Sequence, residues 1–124
     1  MKGWIGVDLD GTLAKYDGWR ADGSVGEPIL KMAVRVKRWL AEGKTVKIVT
    51  ARACLNSSCG NDTVVPQLDP VQVKIVQDWC ETHLGARLPV VFWKDYGMIE
   101  LWDDRAVQVY PNTGTPVLDD GFGE

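Results

Sequence analysis

An apolar run, Trp4-Ile5-Gly6-Val7, passes directly into Asp8-Leu9-Asp10-Gly11-Thr12-Leu13. Residues 4–10 read as a buried strand. A strand of that kind ending in two acids, a glycine and a hydroxyl must either turn back on itself or set the acids at the rim of a sheet. Asp-Gly between apolar runs is also a hairpin signal, so the segment alone leaves both outcomes open. An EF-hand loop is excluded, because Gly11 stands at loop position four rather than six and Trp19 stands where a bidentate Glu belongs. Acids gathered at a rim need a counter-charge. A hard cation such as Mg²⁺, which takes carboxylate, carbonyl, phosphate and water oxygens, supplies one.

The rest of the chain supports the rim. After a Gly-rich polar stretch, 14–26, an amphipathic helix is predicted from Pro28 to Glu42, stopped by Gly43. Thr45 to Thr50 is rich in β-branched residues and reads as the second strand. Residues 54–68 read as a loop, and Pro70 to Leu84 as a second helix closed by Gly85. Pro89–Trp93, Ile99–Trp102 and Val107–Tyr110 are three further short strands, and 111–124 an irregular tail. Trp39, Trp79, Trp93 and Trp102 are expected in the core, and His83 is an ordinary helix-end residue. Strands alternating with helices predict an α/β domain, a parallel sheet covered by helices on both faces, with ligands beyond the carboxyl ends of the strands.

The length of 124 residues fits one domain, 1–124, with about two thirds of its unfolded surface buried. No apolar run reaches the roughly 20 residues of a membrane span, and the N-terminus lacks the profile of a secretion signal, so a cytoplasmic protein without a membrane partner is expected. Nothing in the sequence signals an obligate protein partner. Three cysteines, Cys54, Cys59 and Cys80, make an odd count that reads as reduced thiols. Zinc lacks ligands, because His83 is the sole histidine and lies on another predicted element. A net charge of -3 does not recruit nucleic acid as a whole. The cluster Lys31, Arg35, Lys37 and Arg38 reads as a solvated helix face.

At the predicted strand ends stand Asp8 and Asp10, then Thr50 and Arg52, then Lys94, then Asp103, Asp104 and Arg105. Acids, a hydroxyl and a lysine on one edge are the collection that phosphoryl transfer demands: a nucleophile, a metal, and donors for the equatorial oxygens. In order along the chain, Asp8-Leu9-Asp10-Gly11-Thr12, Val49-Thr50, Lys94 and Trp102-Asp103-Asp104 resemble the four motifs of the haloacid dehalogenase-like phosphohydrolases. The resemblance covers residues 4 to about 110.

That resemblance implies a three-layer Rossmann-like fold, with Asp8 attacking phosphorus to form an aspartyl-phosphate. It makes Asp10 the general acid and base, its backbone carbonyl touching the metal. Mg²⁺ would be held by Asp8, Asp10, Asp103 and Asp104. Thr50 would donate to a phosphoryl oxygen and Lys94 would orient Asp8, with Gly11, Thr12, Thr50, Ala51, Arg52 and Lys94 around the substrate phosphate. Thr50-Ala51-Arg52 and Trp102-Asp103-Asp104-Arg105 are similar to one branch, the 3′-phosphatase domain of bacteriophage polynucleotide kinase, and this places Arg52 on the phosphate. The absence of a kinase domain and of a basic charge departs from that branch.

Neither interval that carries a cap domain in the superfamily has room for a large one. Residues 13–27 make at most a flap, in which Trp19 and Arg20 could meet a base. The expected function is a Mg²⁺-dependent phosphomonoesterase acting on a nucleotide or a 3′-phosphorylated polynucleotide. Alternatives are a sugar-phosphate phosphatase and a non-catalytic binding module of the same fold.

Overall fold

The computed structural model describes residues 3–60 and 62–117. In chain order the elements are β1 (Trp4–Asp8), α1 (Leu30–Ala41), β2 (Thr45–Val49), a single 3₁₀ turn (Ala51–Ala53), α2 (Pro70–Leu84), β3 (Val90–Val91) and β4 (Met98–Trp102). The strands form one sheet of order β3-β2-β1-β4, and every neighbouring pair is parallel. All strands therefore end on the same rim. Strand order reverses at β1, which lies between β2 and the late-arriving β4.

Local chemistry explains the helix limits. At the start of α2 the Asp69 side chain accepts from the backbone N–H of Val71 at 3.0 Å and of Gln72 at 3.4 Å, and Pro70 follows where no donor is required. Gly85 ends it in the left-handed region at φ 79°. α1 has no side-chain cap at Ile29. Its entry is fixed by the Ile29 N–H, which donates to the Leu13 carbonyl at 2.8 Å.

Both helices pack into one core. Met32, Ala33, Val36 and Trp39 of α1 and Val76, Trp79, Cys80 and Leu84 of α2 form one cluster with Ile5, Val7, Val46, Ile48 and Val90 of the strands. On the other face Lys47 Nζ sits 4.5 Å from the centre of the Trp4 ring. The same ring donates through Nε1 to Asp95 at 2.8 Å. The connection from β3 to β4 thus returns past Trp4 without a helix. The expectation of helices on both faces gives way here: α1 and α2 share one face, because each joins strands that advance in the same direction across a parallel sheet.

Trp79 anchors the core to the polar stretch before α1. Its buried Nε1 donates to the Gly26 carbonyl at 2.9 Å. A Cβ on Gly26 would collide with the Lys15 carbonyl oxygen, so the chain there must approach backbone to backbone. Trp79→Ala is expected to destabilise the fold by about 3–5 kcal/mol, read as a lowered urea midpoint. Trp79→Phe should lose about 1–3 kcal/mol by leaving a buried carbonyl without its donor.

Several expectations are corrected. Val107–Tyr110 is not a strand: Val107 and Val109 are exposed, and only an isolated bridge joins Val109 to Pro116. Alternation of apolar and polar residues suits a strand, but a strand needs a partner ladder, which this segment lacks. The third strand shrinks to Val90–Val91, and Trp93 is 41% exposed because the chain leaves the sheet before it. Trp102 is half-buried, held between the Trp39 ring at 5.3 Å and the Arg35 guanidinium at 4.7 Å. Cys54 and Cys59 are joined in a disulfide, where reduced thiols were expected. The Cys54–Leu68 bridge and the Ser58 hydroxyl, donating to the Leu55 carbonyl at 2.7 Å, fold this loop so that the two Cα atoms stand 6.2 Å apart. Cys80 remains a thiol in the core, where burial raises its pKa to about 12. Part of the expected irregular tail, 118–124, lies outside the described residues. Among the described residues no helix is long and apolar enough to cross a membrane.

One irregularity concerns β4. Trp4 pairs with Met98, but Ile5 pairs with Glu100, so one extra residue, Ile99, is taken up as a bulge. Beyond it the ladder is regular, with Gly6 opposite Leu101 and Val7 opposite Trp102.

Candidate metal centre and its surroundings

β1 delivers Asp8 to the rim, and the turn after it is built on one carbonyl. The oxygen of Leu9 accepts from Thr12 N at 3.2 Å, Leu13 N at 3.0 Å and Ala14 N at 2.9 Å, while Gly11 N donates to the Ala14 carbonyl at 2.8 Å. Leu9 and Leu13 are fully buried and pull this turn against the core. Gly11 adopts φ +94°, open to glycine at little cost. A Cβ there would lie 2.6 Å from Asp104 Oδ2, so the glycine also makes room for that carboxyl group.

Next to Asp8 stand the acids that follow β4. One carboxyl oxygen from each of Asp8, Asp103 and Asp104 lies within 4.8 Å of the others. The Thr12 hydroxyl is within hydrogen-bond distance of Asp8 Oδ2 at 3.2 Å and of Asp104 Oδ1 at 3.3 Å, bridging the two strand ends. Asp103 also accepts from Arg105 N at 2.7 Å and Ala106 N at 3.3 Å, which turns the chain after β4. Burial raises the Asp8 pKa to about 7, helped by the hydrogen bond with Asp104 and the charge of Asp103, and opposed by Thr12. Crowded acids of this kind favour a proton or a cation. The all-oxygen donor set is of the kind that a hard divalent ion takes.

The carboxyl group of Asp10 is turned elsewhere. Arg52, from the 3₁₀ turn after β2, approaches it as a fork, with Nε 3.0 Å from Oδ2 and Nη2 2.9 Å from Oδ1. Arg52 Nη1 donates to the Gly23 carbonyl at 2.6 Å and faces Gln72 Oε1 at 3.4 Å, and the Trp19 ring lies 4.9 Å from the guanidinium carbon. Residues 13–27 therefore form a loop pinned on this side by Arg52. It is pinched at its base by the Ala14–Pro28 bridge and by Lys15 N donating to the Glu27 carbonyl at 2.8 Å.

Of the residues picked out in the sequence, Asp8, Asp103, Asp104, Gly11 and Thr12 come together. Asp10 and Arg52 form the pair beside them. Thr50 is buried at the end of β2, directly after Val49, which is the ladder partner of Asp8. Lys94 is exposed and lines a shallow groove with Asp95, Tyr96 and Met98 to Leu101. Its neighbour Asp95 is bonded to Trp4, at the opposite end of β1 from Asp8, roughly 13 Å away at the usual rise per residue. Gln72 and the Gly23 carbonyl were not picked out: a glutamine in a helix's first turn and a loop carbonyl carry no signal of what they will hold. No family model, curated protein or solved structure matches this chain.

Proposed function

We propose that this protein is a Mg²⁺-dependent phosphomonoesterase of the haloacid dehalogenase-like kind, without a large cap, working through an aspartyl-phosphate on Asp8. Supporting this reading, the carboxyl oxygens of Asp8, Asp103 and Asp104 converge within 4.8 Å at the ends of two adjacent parallel strands, where strand order reverses. α1 and α2 make one helical layer of the proposed fold. In this reading a flap at 13–27 and the loop that carries the Cys54–Cys59 disulfide stand in place of a cap.

Asp8 is the nucleophile in this scheme. An Asp8 oxygen bonds to phosphorus as the bond to the leaving alkoxide breaks, and the alkoxide takes a proton from Asp10, which enters this step protonated. Asp10 then removes a proton from the water that attacks the acyl-phosphate, freeing Asp8 and inorganic phosphate. Thr12 orients Asp8, and Thr50 offers its hydroxyl to a phosphoryl oxygen. Mg²⁺, when bound by Asp8, Asp103 and Asp104, neutralises the repulsion between a carboxylate and a phosphate dianion.

The substrate class follows from the Thr50-Ala51-Arg52 and Asp103-Asp104-Arg105 resemblance: a nucleoside monophosphate or a 3′-phosphorylated polynucleotide end. Phosphate release should be measured with and without Mg²⁺ on 5′- and 3′-nucleotides, 3′-phosphorylated oligonucleotides and sugar phosphates. Mg²⁺-dependent release, fastest on a nucleotide or a 3′-phosphorylated end, is expected. Preference for sugar phosphates would replace the substrate class, and no release from any compound would remove the enzyme reading.

A further inference from the structure

By resemblance Arg52 belongs on the substrate phosphate, yet its donors point to other groups. A guanidinium has five N–H groups. Nε and Nη2 each meet an oxygen of Asp10, and Nη1 is shared between the Gly23 carbonyl and Gln72. Trp19 covers one face of the guanidinium, and the Arg52 side chain is only 4% exposed. An anion arriving from solvent finds the arginine enclosed by the flap on one side and by α2 on the other.

We infer that Arg52 is a positioning residue, which fixes the carboxyl group of Asp10 and fastens the flap, 13–27, over it, and that it does not hold the substrate phosphate. The inference rests on Asp10 being the general acid and base of the proposed reaction. Three observations carry it. The pair is two-pronged, a geometry that sets direction as well as distance. The Gly23 contact is the shortest of the arginine's hydrogen bonds, at 2.6 Å, and comes from the flap rather than from the sheet. The two halves of the seat, Asp10 and Gly23, lie on either side of the Lys15–Glu27 pinch, so Arg52 closes a loop that the backbone has already drawn together at its base. Lysine cannot reproduce this, because an ammonium offers no planar fork.

The experiment compares Arg52→Lys and Arg52→Gln with wild type for kcat, KM and inhibition by inorganic phosphate, together with tryptic cleavage at Lys15 and Arg20 in the flap. A misplaced proton donor should lower kcat by about 100-fold or more in both variants, while the inhibition constant for inorganic phosphate stays within about threefold. Flap cleavage should accelerate in both. If Arg52→Gln does not fold, Gln72→Ala tests the same seat from α2 and should also speed cleavage. Loss of phosphate inhibition by tenfold or more with kcat preserved would overturn the inference and put Arg52 on the substrate. Unchanged cleavage would overturn its flap half. Absence of turnover in wild type would sink the phosphatase reading instead, and cleavage would still report on the flap.

Discussion

On the proposed mechanism, Asp8→Asn is expected to leave a folded protein that releases no phosphate. The amide is nearly the size of the carboxyl group and can still accept from Thr12, so the turn built on the Leu9 carbonyl has no reason to move. What disappears is the proposed nucleophile. An amide oxygen does not form the covalent intermediate, and the loss should reach at least about 10³-fold in kcat, with the circular dichroism spectrum unchanged. Residual activity of a tenth or more in a purified variant would show that another group attacks phosphorus.

The second large effect is on stability, and its sign depends on the cation. Without metal, the Asp8 pKa is raised in the folded protein to about 7 from 3.8. The native state therefore binds more protons than the unfolded chain between those values. Stability contributed by protonated Asp8 is fully present below about pH 4 and is lost as pH rises through about 7. With the side chain partly open to water, the loss is put at about 1–2 kcal/mol. Mg²⁺, bound as proposed, acts in the opposite sense, because it would take the ionised acids of the folded state alone. At a hundred times its dissociation constant it should add about 2.7 kcal/mol. Melting temperatures at pH 5 and pH 8, in EDTA and in Mg²⁺, give four values. Mg²⁺ should raise the melting point far more at pH 8 than at pH 5. Equal shifts at the two pH values would mean that these acids are not where the ion binds.

Much of this arrangement is legible in the sequence. α2 is delimited by Pro70 and Gly85, residues whose backbone limits act locally, and its ends were found where expected. The first strand and its acids were legible for a related reason: Ile5, Val7 and Leu9 announce a buried run, and polar groups beyond one belong at its rim. Failures came where the outcome depends on a distant partner. Val107–Tyr110 has the alternation of a strand and no ladder to join. Cysteine parity pointed to free thiols, whereas Cys54 and Cys59 are brought together by a loop fold that no residue count reveals. Arg52 and Asp10 are 42 positions apart, and spacing says nothing about which way a guanidinium turns.

The bulge at Ile99 has a further effect on where the acids stand. Were the β1–β4 ladder unbroken from Trp4 and Met98, Val7 would face Leu101, and Trp102 would come next in line with Asp8. An indole would then occupy the place of a ligand. One surplus residue advances the frame by a single step, so that Trp102 sits beside Val7 and leans on Trp39, and Asp103 is the next residue in line with Asp8. Whether this chain offers an ion three acids or a wall of tryptophan is decided at the far end of the strand from the site, by a register offset of one.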